Sequence, residues 1–196
     1  MAVSAGAELW HMNCVAAGFG YKVPGLDAAW MCRLPAHGFL LVDQRGARFV
    51  NEQAVEHHAA AHALAVRDFR TGRFMRLPSF LIFDERTRLA GPIAGREAGA
   101  NRQLTRSPDN RIEIERGWIA RAETVEGLAK TLRLDPETLG ASVRDFNRAA
   151  GGGSDVLGRP REQMVASTRR PITASRSCPL SSTRRAARGG TRRAEC

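Results

Sequence analysis

The chain has 196 residues, a formal net charge of +10 and 43% hydrophobic residues. That length suits one domain, or one and a half, and that composition excludes wholesale disorder. The longest aliphatic or aromatic runs, of which Phe39-Leu40-Leu41-Val42 is one, are too short to span a membrane, and the first residues lack the basic and apolar regions of a secretory signal, so a cytoplasmic location is expected.

Met1–Met12 reads as the end of a helix. Residues 13–37, with Gly18, Gly20, Pro24, Gly25 and Pro35, read as a loop. Gly38–Asp43 is a predicted strand, Gln44-Arg45-Gly46 a tight turn in which Gly46 takes positive φ, and Ala47–Val50 the returning strand, so 38–50 is a predicted β-hairpin. Asn51 can cap a helix, and Glu52–Phe69, rich in Ala and free of Gly and Pro, predicts one directly after it. Ser79–Asp84 predicts a buried strand and Glu85–Leu89 a short helix closed by Gly91-Pro92. Residues 95–111 are polar and loop-like, and Trp118–Ala122 is a short predicted strand. Thr124 caps a helix through Leu132, and Asp135-Pro136 opens another to Ala150 with an apolar stripe at Leu139, Val143, Phe146 and Ala150. Gly151-Gly152-Gly153 stops it.

The charge is uneven. Residues 167–196 hold eight Arg and one acid, a net +7, and show no helical or strand period. The preceding 166 residues carry only +3. The four Cys have no CxxC spacing, which argues against a zinc ribbon or a disulfide scaffold. His58 and His62 stand at i, i+4, but there is no HExxH and no third ligand nearby, so a solvated polar helix face is the default reading and no metal is expected. Asn101, Arg102 and Arg106 read as solvated loop residues, and Trp10 and Trp118 as core or interface residues. No Cys has an activating neighbour.

The most informative string is Gly46-Ala-Arg-Phe-Val-Asn-Glu52, in which Arg48 and Glu52 can pair across the junction between strand and helix. It resembles an element of the FAD-dependent family that holds the fumarate reductase and succinate dehydrogenase flavoproteins and 3-ketosteroid dehydrogenase. Further similar stretches occur in order: Phe80–Glu85 with Arg88 and Gly91-Pro92, Glu115–Ala122 with Thr124–Ala129, and Leu134-Asp-Pro136 with Phe146-Asn147 and Gly158-Arg159. Together they span about residues 5–163. The resemblance implies an α+β flavoprotein cap (substrate) domain fragment, with a hairpin, a short sheet and packed helices, followed by an irregular basic C-terminal tail. It divides the chain into a remnant of the flavin-binding domain (1–12), the cap (13–150), a segment returning toward the flavin (151–166) and the tail (167–196).

The same resemblance implies hydride transfer to or from flavin N5, a small-molecule substrate, and a substrate-facing set of Arg48, Asn51, Glu52 and Glu56. His57 and His58 are the candidate proton donors. In fumarate-reducing members an Arg stands where this chain has Glu56, and a carboxylate there repels a dicarboxylate, so fumarate chemistry is not expected. The Gly-rich turn that receives the FAD pyrophosphate is also absent from the sequence: Gly18-Phe-Gly20 is not the G-x-G-x-x-G pattern. No cofactor-binding residue is expected to be retained, FAD is the cofactor of the parent enzyme, and a separate flavin-binding chain is the partner that could complete it.

Two readings of the tail compete. Codons can be chosen for Arg169–Ser177 that, read two bases along, spell Pro-Pro-Tyr-Tyr-Gly-Ile-Glu-Val, and for Ser181–Arg188 that spell Val-Asn-Thr-Gln-Gly-Gly-Pro. Both resemble what the family has after its cap, so the reading frame is expected to slip near residue 168, leaving a tail that is disordered or out of frame. The alternative is an Arg-rich nucleic-acid-binding arm with strongly salt-dependent affinity, weakened by the lack of aromatics in the tail.

Overall fold

The computed structural model describes residues 4, 6, 17–21, 23, 30–32, 38–55, 60–93, 107–168 and 170–181. All of the N-terminal helix end at 1–12 except residues 4 and 6, the greater part of the 95–111 loop, and the tail beyond 181 lie outside the described residues. The described part is α+β: a six-stranded sheet with helices on its faces. The strands are β1 (Ala17–Tyr21), β2 (Trp30–Met31), β3 (Phe39–Val42), β4 (Ser79–Asp84), β5 (Ile119–Ala122) and β6 (Ile172–Ser181). Their order is β2-β1-β6-β4-β3, with β5 also paired to β6, and every pairing is antiparallel.

β4 forms because Phe, Leu, Ile and Phe suit a pleated surface buried on both sides. Its end is also a beginning. Asp84 accepts a hydrogen bond from Thr87 N at 3.0 Å and so caps helix α2 (Glu85–Leu89). Thr87 Oγ1 in turn donates to Gly38 O at 3.0 Å, tying α2 to the start of β3. Alternation along the strands sends side chains to two cores. Leu40, Val42, Phe80, Ile82, Ile172 and Ala174 face α4 (Val125–Leu132) and α5 (Pro136–Ala150), meeting Leu128, Leu139, Val143 and Phe146. Phe39, Leu41, Leu81, Phe83 and Ile119 face the other way, toward Leu64 of α1 (Ala60–Leu64) and toward Val23 and Ile93. Each such side chain, fully buried, contributes about 1.5–3 kcal/mol.

α4 starts at Thr124, which accepts from Gly127 N, and ends at Arg133 in the left-handed region, with Leu134 N donating to Ala129 O. α5 starts at Asp135, which accepts from Thr138 N at 2.9 Å, and ends at Gly151. Strand 79–84, helix 85–89 and the two later helices therefore form as their sequences predict.

Four expectations are corrected. The hairpin 38–50 keeps its turn, with Gly46 at φ +95, but the returning strand is a single bridge between Val42 and Arg48. β3 finds its full partner in β4 instead. The helix predicted over 52–69 is shorter: Glu52–Ala54 is a turn, α1 covers Ala60–Leu64, and Arg67 then bridges Phe74. Ala composition favours a helix locally, but the chain pairs with itself beyond Leu64. Residues 13–37 contain two strands, β1 and β2, because antiparallel partners supply what the Gly-rich sequence does not signal. The tail is strand-forming at its start: β6 pairs with β1, β4 and β5. Helix α3 (Arg111–Glu115) had no sequence expectation; its Glu113 is buried and accepts from both Ser107 N and Ser107 Oγ.

Among the described residues, no helix is long and apolar enough to cross a membrane.

Candidate functional site

Turn 43–46 fixes the start of the site. Asp43 Oδ1 accepts from Arg45 N at 2.8 Å and Ala47 N at 3.0 Å. Gly46 reverses the chain, and Ser142 Oγ of α5 donates to Gly46 O while accepting from Arg48 N. The backbone from 46 to 48 is thereby fastened to α5. Asn51 Oδ1 then accepts from Gln53 N and Ala54 N, which closes the turn carrying Glu52.

Arg48 and Glu52 pair, as their spacing suggests, with Arg48 Nη2 donating to Glu52 Oε2 at 2.8 Å and Nε to Oε1 at 2.9 Å. Two partners join them from the segment after α5. Asp155 accepts from Arg48 Nη1 at 2.5 Å and from Arg159 N at 2.8 Å. Arg159 Nη1 donates to Glu52 Oε2 at 3.1 Å and to Phe39 O at 2.8 Å, and its remaining nitrogens donate to Gln163 O. Glu52 Oε1 also accepts from Leu41 N. Side-chain exposures of 7% for Arg48, 2% for Glu52, 4% for Asp155 and 0% for Arg159 make this a buried cluster of two cations and two anions. The Phe146 ring lies beneath both guanidinium groups, 5.2 Å from Arg48 and 5.5 Å from Arg159, and Phe39 lies 4.6 Å from Arg159.

Burial and pairing oppose each other in the electrostatics. Burial pushes the Asp155 carboxyl up, but the hydrogen bonds from Arg48 and Arg159 N and the two guanidinium charges outweigh it and hold it below the ordinary carboxylate value. Burial pulls Arg48 down, and Glu52 and Asp155 more than restore it. Arg159 is held below its ordinary value, chiefly by burial, with Glu52 opposing. The geometry holds backbone in place: the cluster joins β3, turn 51–54 and segment 155–163.

Beside the cluster lies a pocket of about 120 Å³ bordered by Arg48, Ser142, Phe146, Arg148, Asp155 and Leu157. It is well below the roughly 300–1,000 Å³ of ordinary small-molecule sites. Of the expected substrate-facing residues, Arg48 and Glu52 meet in the cluster, and Asn51 donates from Nδ2 to Gly158 O at 2.9 Å beside it. Glu56, His57 and His58 lie outside the described residues, as do Asn101, Arg102, Arg106 and Trp10. His62 is exposed on α1, and Trp118 packs partly buried against the second core. Among the described residues no group of three or more His, Cys, Asp or Glu is placed to hold a metal ion. Sequence reasoning missed Asp155 and Arg159. Gly158-Arg159 enters the sequence reading only through a resemblance, and nothing local signals that it reaches Glu52.

Among the described residues, the Gly18–Gly20 stretch does not fit an FAD phosphate. Gly18-Phe-Gly20 lies inside β1, laddered to β6, and does not form a turn onto a helix. α2 and α5 begin at the carboxylates Asp84 and Asp135, which occupy their N-terminal N–H groups and repel a pyrophosphate.

No protein-family model matches the chain. Over 140 residues it is 29% identical to a 3-oxosteroid 1-dehydrogenase of Mycobacterium tuberculosis, covering 70% of this chain and 24% of that protein. In fold it matches 3-ketosteroid delta1-dehydrogenase from Sterolibacterium denitrificans, solved with 1,4-androstadiene-3,17-dione, at a TM-score of 0.62 and 23% identity, covering 90% of this chain and 33% of that one. It also matches the open conformation of a flavocytochrome c3 fumarate reductase at a TM-score of 0.60 and 18% identity, covering 92% and 28%. The chain thus spans about a quarter of the curated relatives it matches. Its relatives in sequence include 3-oxosteroid 1-dehydrogenases, and its fold matches a part of solved steroid dehydrogenase and fumarate reductase flavoproteins.

Proposed function

We propose that this chain is the substrate-covering cap of an FAD-dependent oxidoreductase that transfers hydride to or from flavin N5. The observation that carries the reading is the fold match over 90% of the chain to one third of a steroid dehydrogenase. In this reading the turn that carries Asn51 and leads to Glu56, His57 and His58 faces a small-molecule substrate. Arg48 and Glu52 set the position of that turn, since their charges are already spent on Asp155 and Arg159. The cap excludes water from the reacting atoms. The flavin, when bound in the parent enzyme, supplies the hydride chemistry, and a flavin-binding domain, in the same polypeptide or in a partner chain, is what this cap needs to turn over substrate.

The test is flavin content. Purified alone, the chain is expected to carry no stoichiometric flavin absorbance and to oxidise no 3-ketosteroid. Co-expression with the flavin-binding part of a related steroid dehydrogenase should give a complex that retains flavin and turns over steroid. Stoichiometric flavin in the chain alone, or no complex with that part, refutes the reading.

A further inference from the structure

β6 carries residues that its place in the sheet does not favour. Over 172–175 it is paired on both sides, with β4 and with β5. Ile172, Thr173 and Ala174 are all but fully buried, so both faces are covered. A strand in such a place normally reads as a run of Val, Ile and Leu, yet β6 reads Ile-Thr-Ala-Ser-Arg-Ser-Cys-Pro-Leu-Ser.

The mismatch is specific. The buried Thr173 hydroxyl has no hydrogen-bond partner, an arrangement native interiors avoid. By the alternation of the pleat, positions 173, 175 and 177 share a face. Thr173 stands opposite Phe83 and Ser175 opposite Leu81, and both partners belong to the apolar cluster with Phe39, Leu41 and Ile119. Arg176 stands opposite Phe80. The same residues open the Arg-rich stretch in which the charge balance breaks.

We infer that residues from about 168 onward are read out of frame, and that the slot filled by β6 belongs to the peptide encoded two bases along. The ladder is made by backbone N–H and C=O groups, so the strand persists while its residues suit the slot poorly. The genetic code makes the claim sharp. A shifted codon joins the third base of one codon to the first two of the next. A serine codon beginning TC therefore places T at the centre of the shifted codon, and every NTC codon spells Phe, Leu, Ile or Val. With one base restored, Ser175 and Ser177 both become apolar, on the face opposite Leu81 and its neighbours. Because isoleucine codons end only in T, C or A, position 173 is confined to Tyr, His or Asn, so an aromatic ring is available where the unpartnered hydroxyl now sits. This inference stands on the register and burial of β6 and holds whether or not the flavin reading does.

The nucleotide sequence of the gene is the direct test. TC-type codons at 175 and 177, with no stop codon in the shifted frame across 169–181, are expected. An AG-type serine codon at either position, or a stop codon there, overturns the inference. A second test uses the full chain. Thr173→Val, and separately Ser175→Ile, are expected to raise the thermal midpoint by about 3 °C each, and an unchanged or lowered midpoint for both variants overturns the claim that the slot is apolar.

Discussion

Arg159 Nη1 donates to Glu52 Oε2 at 3.1 Å across 107 residues of chain, with the two side chains 0% and 2% exposed. Glu52 is the hub of the cluster, since Arg48, Arg159 and Leu41 N all donate to it. Breaking one partner of a buried pair leaves the other charge uncompensated. Glu52→Gln is therefore expected to cost about 3–5 kcal/mol in urea unfolding. Glu52→Asp, which keeps the charge and shortens the reach, is expected to cost less.

Asp155 gives the cluster an acid limit. Its folded-state carboxyl is held below the ordinary value, so it contributes stability that is fully present above the unfolded value of about 3.9 and is lost as pH falls toward the folded one. Urea midpoints measured from pH 6 downward should stay level to about pH 5 and then fall. Asp155→Asn should be less stable at pH 6 and show a shallower fall in acid.

Gly46 is constrained twice. Its φ of +95 disfavours any side chain, and a Cβ would lie 3.1 Å from Leu139 N and Cβ. Gly46→Ala is expected to cost about 2 kcal/mol or more, read as a lower thermal midpoint. Ser142→Ala, which releases α5 from Gly46 O, is expected to cost about 1 kcal/mol.

Cys32 is free and its thiol is pushed up to about 12 by burial. At pH 8 the thiolate is scarce. Peptide-resolved alkylation should show Cys32 reacting much more slowly in the native chain than in urea. Equal rates in the two states would contradict the packing of the half-buried Cys32 against the second core.

Elements whose cause is local were legible in the sequence. Asp84, Thr124 and Asp135 each precede a helix and each cap it, and the 79–84 run forms the strand it spells. The Arg48–Glu52 pair was legible for the same reason, as i and i+4. Elements whose cause is distant were not. Ala17–Tyr21 contains two glycines and becomes a strand through β6. Asp155 and Arg159 acquire their role from partners 107 residues away. The Ala-rich stretch after Glu52 misled in the opposite sense: its propensity favours helix throughout, but the bridge from Arg67 to Phe74 takes the chain elsewhere.

The ties Arg48–Asp155, Asn51–Gly158 and Glu52–Arg159 all run between the same two short stretches of chain. They act as a rivet through two plates. A protease that nicked the polypeptide between those stretches would leave two pieces still fastened to each other, separable by denaturant but not by dilution.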